Sequence, residues 1–337
     1  MLDKFQDPQG DAVEIFNEYK EEIPAFYKNM LLIRRFEEQC GRLYMEQKIK
    51  GFLHLYIGEE AIATGAISGL RDDDYIITHY RDHGHALARG LDVGAVMAEL
   101  MGKATGCSGG KGGSMHLFDV SKGFMGGHAI VGAHLPIAVG LAFAIKQQKR
   151  DSVVLCFFGD GAVNQGEFHE AMNLSSVWNL PVLFVLENNL YGMGSHVSRT
   201  HAAGSDMYKI AESYNMGTLQ VDGMDVIEVR HHVDKALEHL RKGEGPLFLE
   251  AKTYRFRGHS MADPSAYRES SEVVQWQEKD PIDNLAKLAI QYDIFKESDL
   301  EKIDKEIQEA VDDAIAFADE SDEPDMADLH NNIYENI

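Results

Sequence analysis

Between residues 12 and 46 the apolar positions recur at helical spacing: Ile15, Tyr19 and Ile23, then Phe26, Met30, Ile33 and Phe36. That period predicts an amphipathic helical arm. Gly58-Glu59-Glu60 opens a second helical pattern through Ala61, Ile62 and Ile67. Residues 75–78 (YIIT) read as a short strand, followed by the polar, histidine-rich HYRDHGH, and a helix is predicted over 93–101. From residue 129 the pattern alternates between helix and strand. A helix at 133–147 leads to a strand at 153–158, a Gly-Asp-Gly turn, a helix near 164–178 and a strand at 182–186. Strands at 217–221 and 247–252 flank a helix at 226–241. Short, continuous apolar strands separated by helices predict an α/β fold with a parallel sheet flanked by helices on both faces. Ligands of such sheets bind beyond the C-terminal strand ends.

After residue 252 the chain reads TYRFRGHSMADPSAYRESSE, polar and basic with few apolar anchors, which predicts a functional loop over 253–272. Residues 283–318 return to helix, with Ile303, Ile307, Val311 and Ile315 in one apolar stripe. The tail SDEPDMADLHNNIY is expected to dock through Leu329, Ile333 and Tyr334. With no repeat and no clear linker, residues 1–337 read as a single domain. It has a helical arm (1–50), an α/β core (51–282) and a helical, acidic C-terminal region (283–337). Residues 102–140 hold 11 of the 31 glycines. Glycine loses the most entropy on folding, so this density marks tight turns or backbone pressed against a ligand. The interleaved Met115, His116, Leu117, Phe118 and Phe124 favour an ordered, ligand-facing segment.

Composition narrows the partners. The 337 residues carry 55 acidic and 32 basic side chains, a formal charge of −23. That excludes nucleic acid and anionic lipid as natural ligands. Residues 297–337 hold 15 acids and 2 bases, so most of the excess sits at one end, and a basic pocket elsewhere is compatible with it. Three cysteines (Cys40, Cys107, Cys156) make neither a disulfide framework nor a zinc motif. The longest apolar stretch, 129–145, is too short and interrupted to span a bilayer, and the N-terminus is acidic. A cytoplasmic protein without membrane contact is expected.

The chemistry concentrates at two strand ends. Gly159-Asp160-Gly161 is followed at a distance by Asn188-Asn189. A carboxylate, an amide oxygen, a backbone carbonyl and diphosphate oxygens are suitable ligands for Mg²⁺ or Ca²⁺. Gly161 lets backbone approach a phosphate, and the following helix offers N–H groups at its positive end.

The stretch GDGAVNQGEFHEAMNLSSVWNLPVLFVLENNLYGMG resembles the thiamine diphosphate signature, in the form found in alpha subunits of the first component of 2-oxo acid dehydrogenase complexes. The resemblance covers nearly the whole chain. GFLHLYIGEEA, ITHYRDHGHALARG, SGGKGGSMH, VDGMDV and TYRFRGHSMADP carry it further. GFLHLY resembles the pyruvate and acetoin branches rather than the branched-chain one, and the tail DEPDMADLHNNIY resembles the bacterial pyruvate form. The resemblance implies a thiamine diphosphate-binding fold and the following roles. Asp160, the Asn189 side chain and the Tyr191 carbonyl would hold Mg²⁺. Gly161 and Ala162 would face the diphosphate, together with Tyr80 and Arg81. Ala129 and Val131 fall where backbone meets the aminopyrimidine, His259 would approach the diphosphate and the reacting carbon, and His54 would lie beside the substrate. Ala129 stands where pyruvate relatives carry glycine, and His134 where glutamine is common.

The implied reaction is oxidative decarboxylation of pyruvate with transfer of the acetyl group to a lipoyl domain. Histidine suits its proton transfers. The carboxylate that activates the cofactor comes in this family from a beta subunit. Glu59 and Glu60 match the alpha subunit's own helix and are not given that role. An α₂β₂ assembly and a lipoyl acyltransferase partner are therefore implied. Acetoin or a branched 2-oxo acid is the alternative substrate, and a non-catalytic assembly subunit the alternative of another class. A metal hydrolase built on His79, His83 and His85 is remote, because only Asp82 accompanies them in sequence. His116 and His128 read equally as loop or cofactor contacts. His231, His232 and His239 read as solvent-facing, and Met193 and Met224 as packing. Ser260 aligns with a serine phosphorylated in mitochondrial relatives.

Overall fold

The computed structural model describes residues 11–204, 206–331 and 333. The helical arm is α1 (Ala12–Tyr19) and α2 (Ile23–Met45), joined by one 3₁₀ turn. Then follow α3 (Glu60–Ser68), β1 (Tyr75–His79), α4 (His83–Ala88), α5 (Val93–Leu100) and β2 (Phe124–His128). The next elements are α6 (His134–Gln147), β3 (Val154–Gly159), α7 (Gly166–Val177) and β4 (Val182–Asn188). A small hairpin of β5 (Tyr191–Gly192) and β6 (Ser195–His196) precedes the short helices α8 (Val197–Thr200) and α9 (Tyr208–Glu212). The chain continues through β7 (Gly217–Asp222), α10 (Val226–Arg241), β8 (Leu247–Lys252), α11 (Ser270–Gln277), α12 (Pro281–Gln291) and α13 (Glu297–Glu320).

Six strands form one parallel sheet in the order β2-β1-β3-β4-β8-β7. Alternate strand residues enter opposite layers. Leu155, Phe157, Leu183 and Val185 join the core cluster with α3, α5 and α10, while Val154, Cys156, Phe158 and Phe184 join that of α6 and α7. Burial on both faces explains the unbroken apolar runs. The chain leaves β1 toward β2, then passes back across β1 to β3. That reversal opens a crevice at the C-terminal ends of β1 and β3. A third cluster joins the termini: Phe16, Phe26, Tyr27 and Met30 pack against Ile282, Leu285 and Ile303. Among the described residues no helix is long and apolar enough to cross a membrane.

The predicted strands and long helices are present, with ends shifted by a residue or two. β2 and α4 were not expected. The sequence of β2, FMGGH, carries two glycines and lacks β-branched residues, and its register slips between Ile76 and Thr78, where Gly126 has φ +98°. The tail does not dock as expected. Leu329 and Ile333 are exposed, and Tyr334 lies outside the described residues. Polar contacts hold it instead: Ala104 N–H to Asp322 O, Lys103 to Glu323, and Lys111 Nζ to Asp328 O. His231 and His232 are buried, not solvent-facing, because α10 is covered by both α1 and α3.

The glycine-rich segment is ordered, but its ligand is internal. The Glu99 carboxylate, fully buried at the end of α5, accepts the backbone N–H groups of Ser108 (2.8 Å), Gly110 (2.8 Å), Gly112 (2.7 Å) and Gly113 (3.0 Å). A side chain at Gly106 would strike Glu99, and one at Gly110, where φ is +73°, would come within 2.6 Å of the Lys103 carbonyl. The glycines thus wrap backbone around a carboxylate. Glu99→Ala should destabilise the chain by roughly 2–4 kcal/mol, because several buried N–H groups lose a charged acceptor together. Hydrogen exchange at Ser108, Gly110, Gly112 and Gly113 should accelerate. Unchanged protection there would show that the loop holds itself.

Candidate active site

The crevice at the sheet reversal is a cleft of about 270 Å³. Its wall is made by the ends of β1 (His79, Tyr80, Arg81), β3 (Gly159 to Ala162) and β4 (Glu187, Asn189), with Glu59, Arg255 and His259 closing it. Each predicted residue can be placed. Asp160, Gly161, Ala162, Asn189, Tyr191, Tyr80, Arg81, Val131 and His259 line the cleft together. Ala129 does not line it. His54 stands one layer back, its ring 4.6 Å from that of Tyr80 and 5.1 Å from that of His259. His134 lines the cleft, and Met193, expected in the packing, is exposed at its rim because the β5–β6 turn projects outward. His116 and His128 bond the carbonyls of Gly127 and Met125 and do not reach the cleft.

Asp160 follows β3 directly and is buried. Burial pushes its carboxyl up to about 6, against the pull of Arg255 and Arg81. Asn189 donates through Nδ2 to Glu59 Oε1 (2.9 Å), while its Oδ1 accepts the Tyr191 N–H (3.2 Å). That arrangement turns the chain back over β3, through Leu190 at φ +71°, and brings Gly192 beside Asp160. No neighbour lies within 4 Å of where a Cβ would stand at Gly159 or Gly161, so backbone there faces open space.

Sequence reasoning missed Arg255, Glu59, His79 and Glu187, all of which line the cleft. Arg255 stands just past the C-terminal end of β8, flanked by Tyr254 and Phe256, and is fully buried. An arginine among aromatics at a central strand end was the available signal. Glu60, by contrast, is taken by Arg34 (2.5 Å) and the Gly58 N–H (2.9 Å). The carboxyl of Glu59 is pushed up to about 7 by burial; Arg81 opposes the shift and Glu187 adds to it. The histidines of the β1–α4 segment find carboxylates far away in sequence: Glu37 bonds His83, and Glu187 bonds both His79 and His85. Hydrogen bonds therefore explain the cluster, and Asp82 is not its only acid.

The loop after β8 runs irregular to Glu269, three residues short of the expected end. It is folded on Asp263, which accepts the N–H groups of His259 (2.7 Å) and Ser265 (2.9 Å) and the Tyr267 hydroxyl (2.6 Å). Burial, aided by Arg81 and Arg255, pushes the His259 imidazole down to about 3. Burial also pushes His54 down to about 2, again with help from Arg81. Both are neutral at pH 7, each with one lone pair to accept a proton.

With this geometry in place, the family is plain. The chain belongs to the Dehydrogenase E1 component family, whose sequence profile matches residues 28–327. More particularly, it is 47% identical over 315 residues to the pyruvate dehydrogenase E1 component subunit alpha of Rickettsia bellii, covering 94% of this chain and 96% of that one. The subunit of the same name from Rhizobium meliloti is 47% identical over 329 residues, 97% of this chain and 94% of its own. The chloroplastic subunit alpha-3 of Oryza sativa subsp. japonica is 43% identical over 325 residues, 94% of this chain and 76% of its own.

His134 yields a prediction. It is fully buried, its Nε2 bonds the Phe157 carbonyl (2.8 Å), and burial pushes its imidazole down to about 3. A base whose folded value is depressed stabilises the fold above its unfolded value of about 6.5, and that contribution is lost as pH falls below it. His134→Gln should therefore flatten the decline of stability between about pH 6.5 and pH 3 by up to a few kcal/mol. Parallel denaturation curves of variant and wild type across that range would disprove it.

Proposed function

We propose that this chain is the alpha subunit of a thiamine diphosphate- and Mg²⁺-dependent pyruvate dehydrogenase. It would work with a beta subunit in an α₂β₂ assembly and pass its acetyl group to a lipoyl acyltransferase. The observation that carries this reading is the convergence of Asp160, Asn189, Tyr191, Tyr80, Arg81, Arg255 and His259 on one cleft. It is joined by the similarity to pyruvate dehydrogenase alpha subunits described above.

The donor set fits the proposed group. The Asp160 carboxylate, the Asn189 Oδ1 and the Tyr191 carbonyl are hard oxygens of the kind Mg²⁺ takes. Arg81 and Arg255 are cations suited to diphosphate, and the open backbone at Gly161 admits phosphate oxygens. Val131 also lines the cleft. When bound, thiamine diphosphate supplies a carbon nucleophile and a sink for the electron pair left by loss of carbon dioxide. The chain's own part is binding and proton handling. Neutral His259 stands at the cleft to hold or move a proton on an imidazole nitrogen. His54, one layer behind, keeps a buried Nδ1 without a hydrogen-bond partner. The carboxylate that would activate the cofactor is assigned to the beta subunit.

Reconstitution with a cognate beta subunit tests this. Calorimetry should show Mg²⁺-dependent thiamine diphosphate binding that Asp160→Ala abolishes. His259→Ala should keep that binding within a few-fold and lower pyruvate decarboxylation by ~10²-fold or more. Binding indifferent to Asp160→Ala, or faster turnover of a branched-chain 2-oxo acid than of pyruvate, would overturn the reading.

A further inference from the structure

Glu187, at the end of β4, is a buried carboxylate with three side-chain donors. Oε1 accepts the Tyr56 hydroxyl and the His85 Nε2 (3.0 Å), and Oε2 meets the His79 Nε2 at 2.5 Å. On the far side of the His79 ring, Nδ1 accepts the backbone N–H of Arg81 at 3.0 Å. An imidazole that accepts at Nδ1 carries its proton at Nε2, and the proton there points at a carboxylate. One tautomer satisfies both bonds. The other would set an N–H against the N–H of Arg81 in a buried place.

Residue 79 accepting the N–H of residue 81 repeats the geometry of an Asx turn, with an imidazole in place of an amide. It bends the chain as it leaves β1. That bend fixes where Arg81 departs from the backbone, and its guanidinium reaches the Leu55 carbonyl (2.7 Å) and the His259 carbonyl (2.9 Å). We infer that His79 and Glu187 are positioning residues: the Glu187 carboxylate locks His79 in the Nε2–H tautomer, and the locked imidazole holds Arg81 in place for an anionic phosphate ligand. Burial, the largest influence on His79, keeps its imidazole below the usual range and hence neutral, as the lock requires. The inference rests on the reading of Arg81 as a diphosphate ligand.

The test uses the full chain with its beta subunit and Mg²⁺-pyrophosphate as probe. Imidazole nitrogen chemical shifts of the ligand-free protein, labelled at histidine and assigned with His79→Asn, should report the Nε2–H tautomer at His79. The opposite tautomer or a doubly protonated ring overturns the lock. Pyrophosphate affinity should fall roughly fivefold to tenfold in His79→Phe, the worth of a lost net hydrogen bond. His79→Asn should recover most of that loss, since an Asn side chain accepts the same N–H. Glu187→Gln, which offers one acceptor oxygen to three donors, should shift the His79 tautomer and weaken pyrophosphate without changing the far-ultraviolet spectrum. If His79→Phe binds as well as wild type, or His79→Asn recovers nothing, the positioning role is wrong. A wild-type protein that binds no pyrophosphate overturns the proposed function instead, whatever the tautomer.

Discussion

The structure turns on a buried guanidinium. Arg81 is only 3% exposed, and burying an ion costs several kcal/mol unless its hydrogen bonds are met. They are met by segments distant in sequence, which backbone bonds from Phe256 N–H to the Ile57 carbonyl and from Met261 N–H to the Leu53 carbonyl also join. The Leu55 carbonyl comes from the approach to α3, the His259 carbonyl from the loop after β8, and Glu59 stands 3.6 Å from Nε. Arg81 itself is fixed to the end of β1. One cation thereby draws three stretches of chain around the sheet reversal, and the cleft is the space they leave.

This explains why the loop after β8 has a defined path with few apolar anchors. His259 is bonded at its carbonyl by Arg81 and at its N–H by Asp263. Asp263 in turn takes the Tyr267 hydroxyl, which also accepts from Arg255. Arg268 closes the loop by donating to the carbonyls of Arg255 and Arg257. Polar contacts thus supplement the few apolar anchors of the segment, Tyr254 and Phe256 in the core with Met261 and Tyr267 packed against it.

What the sequence disclosed follows the range of the interactions. The strands β3, β4 and β8 were legible because each is a closed apolar run, and Asp160 and Asn189 because they stand at the ends of such runs. Partners distant in sequence were not legible. Glu187 bonds histidines 108 and 102 residues earlier, and Glu37 bonds one 46 residues later, so HYRDHGH looked like an acid-poor histidine cluster. The glycines of 102–140 pointed to tight turns or backbone pressed against a ligand, and the backbone of residues 108–113 does wrap an anion. The anion is Glu99, and no local pattern distinguishes a bound phosphate from a carboxylate of the same chain.

The cleft gathers buried charges of both signs. Arg81 and Arg255 face each other's field, and burial together with that repulsion holds Arg81 below its ordinary range. Burial likewise pushes Asp160 and Glu59 upward. The arginines oppose that shift at both carboxylates, Glu59 standing 3.6 Å from Arg81 Nε, and each carboxylate lies too deep for water to screen it. A divalent cation beside Asp160 would favour its ionised form, and an anion beside the arginines would favour theirs. A monovalent anion alone would relieve only the arginines and sharpen the repulsion at Asp160. On the proposed reading, metal and diphosphate would therefore suit this cleft of about 270 Å³ better together than either alone. Residues 297–337, which carry 13 of the chain's 23 net negative charges, place none of their described residues in the cleft lining.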